Sequence, residues 1–311
     1  MSMKSIITVT SKLKHLWWLG FIGFARLIVD APHLRLFHFF FLFGLAGFIE
    51  AFAGGSSKDA GASADWGIFA QSMKQIWGMV YTPVANKFRL PSKENYTCKS
   101  DYILPFTGKW VVVNGGADKP LSHSWGIYPQ RYAYDFIIMD DNGNYCEGDK
   151  AALESYFCYG KDIIAPADGV VIAAANHHKD SRVDGENVYC DAPDISGNHI
   201  IIKHNEHEYS MIAHLAPNSV TVSIGENVKQ GQAIAKCGNS GNTSMPHIHF
   251  QLQTGENAFL AAGLPIAFTN ISAQQKSNYS QLDPRSCENN LQVIEGKTYI
   301  GRGLEVENGV V

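Results

Sequence analysis

Charge is scarce in this 311-residue chain. Asp, Glu, Lys and Arg make up 17% of it, against about 25% in an ordinary soluble domain. The 25 basic residues are outnumbered by 29 acidic ones and form no block, which argues against nucleic acid as a partner, since phosphate neutralisation needs clustered base. None of the six cysteines belongs to a Cys-x-x-Cys pair, which argues against a cysteine-built zinc knuckle. No glycine-rich loop carries the lysine of a phosphate cradle. Beyond Cys98 no long helical period intervenes between short apolar runs, which argues against alternating strand–helix units. A chain that is 45% hydrophobic does not fit wholesale disorder, and its length allows one or two domains with a full core.

What is present divides along the chain. Leu16–Val29 and Leu36–Ile49 are aromatic-rich apolar runs interrupted only by Arg26. Each is shorter than the roughly 18 to 20 residues that cross a bilayer. Extending the second to Leu34–Ala53 reaches that length, with Arg35 snorkelling on one side and Glu50 near the other interface. Lys4, Lys12, Lys14, Arg26 and Arg35 precede it, so the positive-inside rule predicts a single-pass anchor over residues 1–53, in contact with the lipid bilayer, with everything later outside the cytoplasm. Ala51-Phe52-Ala53 offers the alternative of a cleaved signal, and a buried or re-entrant hairpin is a third reading. All six cysteines, Cys98, Cys146, Cys158, Cys190, Cys237 and Cys287, follow this segment. They permit three disulfides in fifteen pairings, or six buried thiols.

Residues 54–96 read as a Gly/Ser/Ala-rich linker and then an amphipathic helix. Trp66, Phe69, Met73, Ile76, Trp77 and Val80 recur at helical spacing up to a break at Thr82-Pro83. Its apolar face suits either the following domain or the membrane interface. From Cys98 the texture becomes short β-branched or alternating runs such as KWVVVNG, YAYDFIIMD, GVVIAAA, NHIIIKH, YSMIAHL, SVTVSIG, QAIAKCG and HIHFQLQ. Close spacing with Gly, Asn, Asp and Pro between them predicts a mainly β, antiparallel domain over 97–290. The remaining 291–311 read as an extension, with LQVIEGKTYI as a last hairpin.

The chemistry concentrates at Pro246-His247-Ile248-His249-Phe250. Side chains two apart on a strand share a face, so His247 and His249 project together. His214 ends another apolar run, and Asp135 sits inside YAYDFII, where a buried carboxylate requires a partner. Three imidazoles and a carboxylate suit a zinc centre with an open water position.

The ordered series Asp135, APADGVV (165–171), GNHIIIKH (197–204), His214-Leu215, IGENVKQGQAI (224–234), CGNSGNTS (237–244) and PHIHFQL (246–252) resembles the lysostaphin-type, LytM-like zinc metallopeptidases. The resemblance covers roughly 120 to 130 residues of sequence, and it implies a twisted antiparallel sheet with a groove, the duplicated hybrid motif of that family. It further implies a Zn2+-dependent endopeptidase acting on peptidoglycan peptides. Asp135 and His249 would be ligands, and His247 with His214 would activate water. The family's H-x-x-x-D motif is broken, because Arg131 stands four residues before Asp135, and a guanidinium cannot ligate as an imidazole does. Two readings follow. His123, from the preceding loop, completes the ligand set, or the domain is non-catalytic and binds wall peptides or regulates another hydrolase. Arg131 would instead pair with a carboxylate, and Asn239 and Asn242 of CGNSGNTS would line the substrate groove. APADGVV with GENVKQGQAI also resembles biotinyl and lipoyl carriers, but no lysine stands at a suitable hairpin tip.

Overall fold

The computed structural model describes residues 62–287 and 290–309, together with Leu19 and Leu36. The expected anchor over residues 1–53 lies outside the described residues but for those two. Among the described residues no helix is long and apolar enough to cross a membrane. Residues 66–311 make one compact unit.

Helix α1 (Ala62–Ala85) runs into that unit, which continues as strands β1 (Trp110–Asn114), β2 (Tyr134–Ile137), β3 (Asp162–Ile164), β4 (Gly169–Ala175), β5 (Tyr189–Cys190), β6 (Asn198–Lys203) and β7 (Tyr209–Leu215). There follow β8 (Asn227–Val228), β9 (Ala233–Lys236), β10 (Asn242–Thr243), β11 (Ile248–Gln253), β12 (Ile271–Gln275), β13 (Gln292–Ile294), β14 (Lys297–Tyr299) and β15 (Leu304–Asn308). Nine form one sheet in the order β12-β15-β1-β2-β11-β7-β6-β4-β8, and each of its ladders is antiparallel. The mainly β, antiparallel expectation holds.

Alternation explains the strand that matters most. Ile248, Phe250 and Leu252 of β11 enter the main core beside Phe136, Ile212 and Leu264, so the pleat turns His249, Gln251 and Gln253 to the opposite face. Register then fixes a row. Asn114 pairs with Asp135 across a bulge in β1, Asp135 with His249, and His249 with Ala213.

Three elements differ from expectation. SVTVSIG forms no strand; its N–H groups divide among scattered partners, Val220 donating to Asn176 Oδ1 (3.0 Å), Ser223 to Glu226 Oε2 (3.0 Å) and Thr221 to the Ile234 carbonyl (2.9 Å). The tail after residue 290 does supply the expected hairpin, β13–β14, but β15 sits inside the main sheet against β1. Helix α1 runs three residues past Thr82, since Pro83 in its last turn forfeits a single hydrogen bond. Lys87 and Phe88, in left-handed conformations (φ 51° and 59°), close it as the Phe88 N–H reaches the Pro83 carbonyl.

Candidate metal centre

The row on the sheet places a carboxylate among imidazoles. Asp135 Oδ1 lies 3.1 Å from His249 Nδ1 and 3.8 Å from His247 Nε2, and Asp135 Oδ2 lies 3.6 Å from His123 Nε2. The possible ligand atoms of His123, Asp135 and His249 all fall within 4.8 Å of one another. Ligands about 2.0–2.1 Å from a tetrahedral zinc stand roughly 3.3 Å apart, so a small closure fits this N2O donor set to the ion. Asp135, His214 and His249 are each only 7% exposed.

His123 arrives from a loop that the sheet does not order. The Ser122 hydroxyl donates to the Arg131 carbonyl (2.8 Å) and accepts the Ser124 N–H (3.1 Å). Arg131 folds back on the same loop, donating through Nε to the Trp125 carbonyl (3.1 Å) with its guanidinium carbon 4.9 and 4.8 Å from the Trp125 and Tyr128 ring centres. The residue at the broken motif position therefore braces the loop that delivers His123.

Hydrogen bonds assign the tautomers. His214 Nδ1 faces the Ser240 carbonyl (2.8 Å) and His247 Nδ1 the Met245 carbonyl (2.7 Å). A carbonyl only accepts, so each ring carries its proton on Nδ1 and keeps a lone pair on Nε2 when neutral. The two rings stand 4.7 Å apart. His214 is held in the left-handed region (φ 63°), a conformation costly for a non-glycine residue; the Ser196 carbonyl fixes its N–H, and its own carbonyl accepts from Gly238.

For His249 the assignment runs the other way. Gln253 Nε2 donates to the Gly255 carbonyl (2.7 Å), so its Oε1 is left to accept from Gln251 Nε2, and Gln251 Oε1 faces His249 Nε2 at 2.9 Å. The amide chain puts the imidazole proton on Nε2 and aims the Nδ1 lone pair at Asp135. A lone pair 3.1 Å from a carboxylate oxygen calls for a cation between them, a metal ion or a proton. Gln251 and Gln253, both buried, are site residues that motif reading passed over; their alternation with Ile248, Phe250 and Leu252 was the available signal.

Electrostatics agree. Burial alone would raise the Asp135 carboxyl, but the imidazoles of His123, His249 and His247 outweigh it and hold the group far below the usual carboxylate range. Burial pushes His123 and, much further, His214 below the ordinary imidazole value. His249 is raised, because the bond to Asp135 overcomes the burial that opposes its charge.

These side chains line a groove cavity of about 520 Å³ that also includes Asn242, Cys190 and Ile195. Residues 154–260 match Peptidase family M23. That stretch is similar to the peptidase family M23 domain. The match takes in His214, His247 and His249 but begins after His123 and Asp135. Among curated relatives, peptidoglycan DD-endopeptidase ShyB of Vibrio cholerae is 32% identical over 101 residues, 32% of this chain and 23% of that protein. Murein hydrolase activator NlpD of Salmonella dublin is 32% identical over 149 residues, 48% of this chain and 34% of that protein. The matched stretch thus spans well under half the length of either relative. Among solved structures, the catalytic domain of lysostaphin from Staphylococcus simulans is 21% identical, with a TM-score of 0.31, covering 50% of this chain and 88% of that one.

The expected substrate contacts separate. Asn242 lies on the groove wall. Asn239 is fully buried and structural, donating to the Ser181 carbonyl (2.8 Å) and accepting from Thr243 (3.0 Å). Arg131 lines a neighbouring hollow with Trp125 and Tyr132 instead.

Proposed function

We propose that this chain is a zinc-dependent endopeptidase that hydrolyses peptide bonds of bacterial cell-wall peptidoglycan, held at the outer face of the cytoplasmic membrane by its amino-terminal segment. One observation supports the reading: the possible ligand atoms of His123, Asp135 and His249 lie within 4.8 Å of one another, the proximity that a substitute for the imidazole missing at Arg131 requires. When bound, zinc supplies a Lewis acid that polarises a carbonyl and acidifies water. His123 Nε2, Asp135 and His249 Nδ1 would hold it. The Nε2 lone pairs of His247 and His214 face the same cavity, as a general base for the attacking water and, once protonated, as a donor to the developing oxyanion and the leaving amine. The membrane assignment rests on the charge-flanked apolar run alone.

The similarity to NlpD, named as an activator, together with the arginine at the motif position, favours a second reading, a domain that regulates another wall hydrolase without cutting. Zinc analysis and peptidoglycan digestion separate the two. The endopeptidase reading expects one zinc per chain and release of peptides, with both lost in His249→Ala. A wild-type chain that is folded, retains no zinc and releases nothing overturns it in favour of the regulator.

A further inference from the structure

Helix α1 meets the domain through the wrong face for an amphipathic helix. Ile76, Trp77, Val80 and Val84 are exposed, at 42–60%, whereas Gln71, Gly78 and Thr82 make the contacts. Thr82 is fully buried and donates to the Leu260 carbonyl (3.0 Å). At Gly78 the helix lies so close to the Phe259 carbonyl that an added Cβ would collide with it. Helix residues Ser72 and Gln75 form part of the wall of the cavity that holds His123, Asp135, His214 and His249.

Towards its amino-terminal side the Gln71 side chain ties the helix to the domain. Gln71 Nε2 donates to the Pro193 carbonyl (3.0 Å), and the Ile195 N–H donates to Gln71 Oε1 (2.8 Å). A main-chain acceptor and a main-chain donor two residues apart are therefore both satisfied by a carboxamide, the side-chain group closest in chemistry to a peptide bond. Of these two groups, the Ile195 N–H lies at the groove. Ile195 and Ser196 line the cavity, and the Ser196 carbonyl holds the His214 N–H (3.2 Å), so the lip is one residue from the backbone that sets a proposed base.

We propose that the Pro193 carbonyl and the Ile195 N–H form a docking subsite for the main chain of an extended peptide, and that Gln71 occupies this subsite as an internal competitor. Main-chain pairing gives a peptide affinity without demanding a side chain. While Gln71 is seated, the subsite is available only in the fraction of molecules with α1 lifted, and apparent peptide affinity falls by that fraction. The inference rests on the endopeptidase reading for the class of ligand, but not on catalysis.

The test uses the full chain in detergent, as wild type, Gln71→Ala and Gly78→Ala. The first variant removes the amide. The second keeps a good helix former but puts a methyl group into the Phe259 carbonyl, so the helix is displaced without being melted. Binding of a cross-linked muropeptide is measured with a chelator present, so that nothing is cut, and amide hydrogen exchange over residues 62–85 reports undocking. The expected result is binding tighter by about threefold or more in both variants, matching an open fraction of about a third or less in the wild type. Equal or weaker binding in either variant while exchange shows α1 undocked overturns the proposal. So does unchanged exchange in both variants, and so does failure of all three proteins to bind the peptide. Digestion with zinc restored is scored separately: tighter binding without cleavage in any protein counts against the endopeptidase and leaves the subsite standing.

Discussion

Two hydrogen bonds decide what His249 can do. Gln251 takes the proton-bearing Nε2, and Asp135 faces Nδ1, an arrangement that favours a metal ion over a water-exposed imidazole. Gln251→Leu is therefore expected to weaken zinc retention by about tenfold to a hundredfold, read by competition with a chelator, while the melting temperature changes little by comparison. His123→Ala is expected to lose zinc outright, since two protein ligands remain. Arg131→Ala tests the opposite case: stability should fall by about 1 kcal/mol through loss of its aromatic contacts, with zinc stoichiometry unchanged. An equal loss of zinc in Arg131→Ala and His123→Ala would reject the separation of brace from ligand. His214 carries a pH signature. Its folded-state pKa lies well below the unfolded imidazole because burial disfavours its charge. The unfolded chain then binds the extra proton, so stability from this group is present above about pH 6.5 and declines as pH falls below it. Chemical denaturation between pH 7.5 and pH 5 in about half-unit steps should show this decline, and His214→Asn should flatten it.

At the level of elements, the hairpin of β6 and β7 is fastened to the chain before β1 by one carboxylate. Glu208 is fully buried and accepts from the hydroxyls of Tyr96 (2.7 Å) and Tyr102 (3.0 Å), the N–H groups of Lys99 (2.5 Å) and Ser100 (3.0 Å), and Asn205 Nδ2 (2.7 Å). Burial raises its pKa, but those donors outweigh it and the net shift is downward; the contribution is present above the unfolded value and lost as acid protonates the group. Glu208→Ala strands several of these donors and is expected to cost about 2–3 kcal/mol, measured by denaturant unfolding at neutral pH. A cost under about 0.5 kcal/mol would show that the fastening is not energetic. The strands themselves differed in legibility. In β11 the alternation of Ile248, Phe250 and Leu252 with polar residues announced both the strand and its functional face. In β15, Leu304 and Val306 alternate with Glu305 and Glu307 in the same way, but five residues at a chain end carry too little pattern to specify a place inside a sheet. The run SVTVSIG had the pattern and no ladder, because its N–H groups divide among Asn176, Glu226 and the carbonyls of Ile234 and Val171 rather than following one neighbouring strand.

For the whole molecule, the membrane expectation has a direct check. The full chain should sediment with membranes and resist extraction by high salt and alkaline carbonate, requiring detergent instead. A soluble product whose mass corresponds to cleavage after Ala53 would replace the anchor with a signal. The exposed apolar face of α1, Trp77 and Val80 foremost, shows the limit of periodicity at this scale. Helical spacing predicted the helix, yet packing chose the stripe of Gln71, Gly78 and Thr82, because close backbone approach and hydrogen bonds to carbonyls on the domain require small and polar groups there.

The sequence by itself determined the antiparallel β character, the M23-like order of its motifs, the shared face of His247 and His249, and the fault at Arg131. Those depend on spacing along one strand or on residue chemistry, which the chain states locally. Only the tertiary structure decided that His123 lies opposite Asp135, that Arg131 braces its loop on Trp125 and Tyr128, that Asn239 is buried away from the groove, and that Gln71 reaches Pro193 and Ile195. Each of these joins residues from segments whose distance is set by sheet order, loop closure and packing, and no local periodicity encodes that distance.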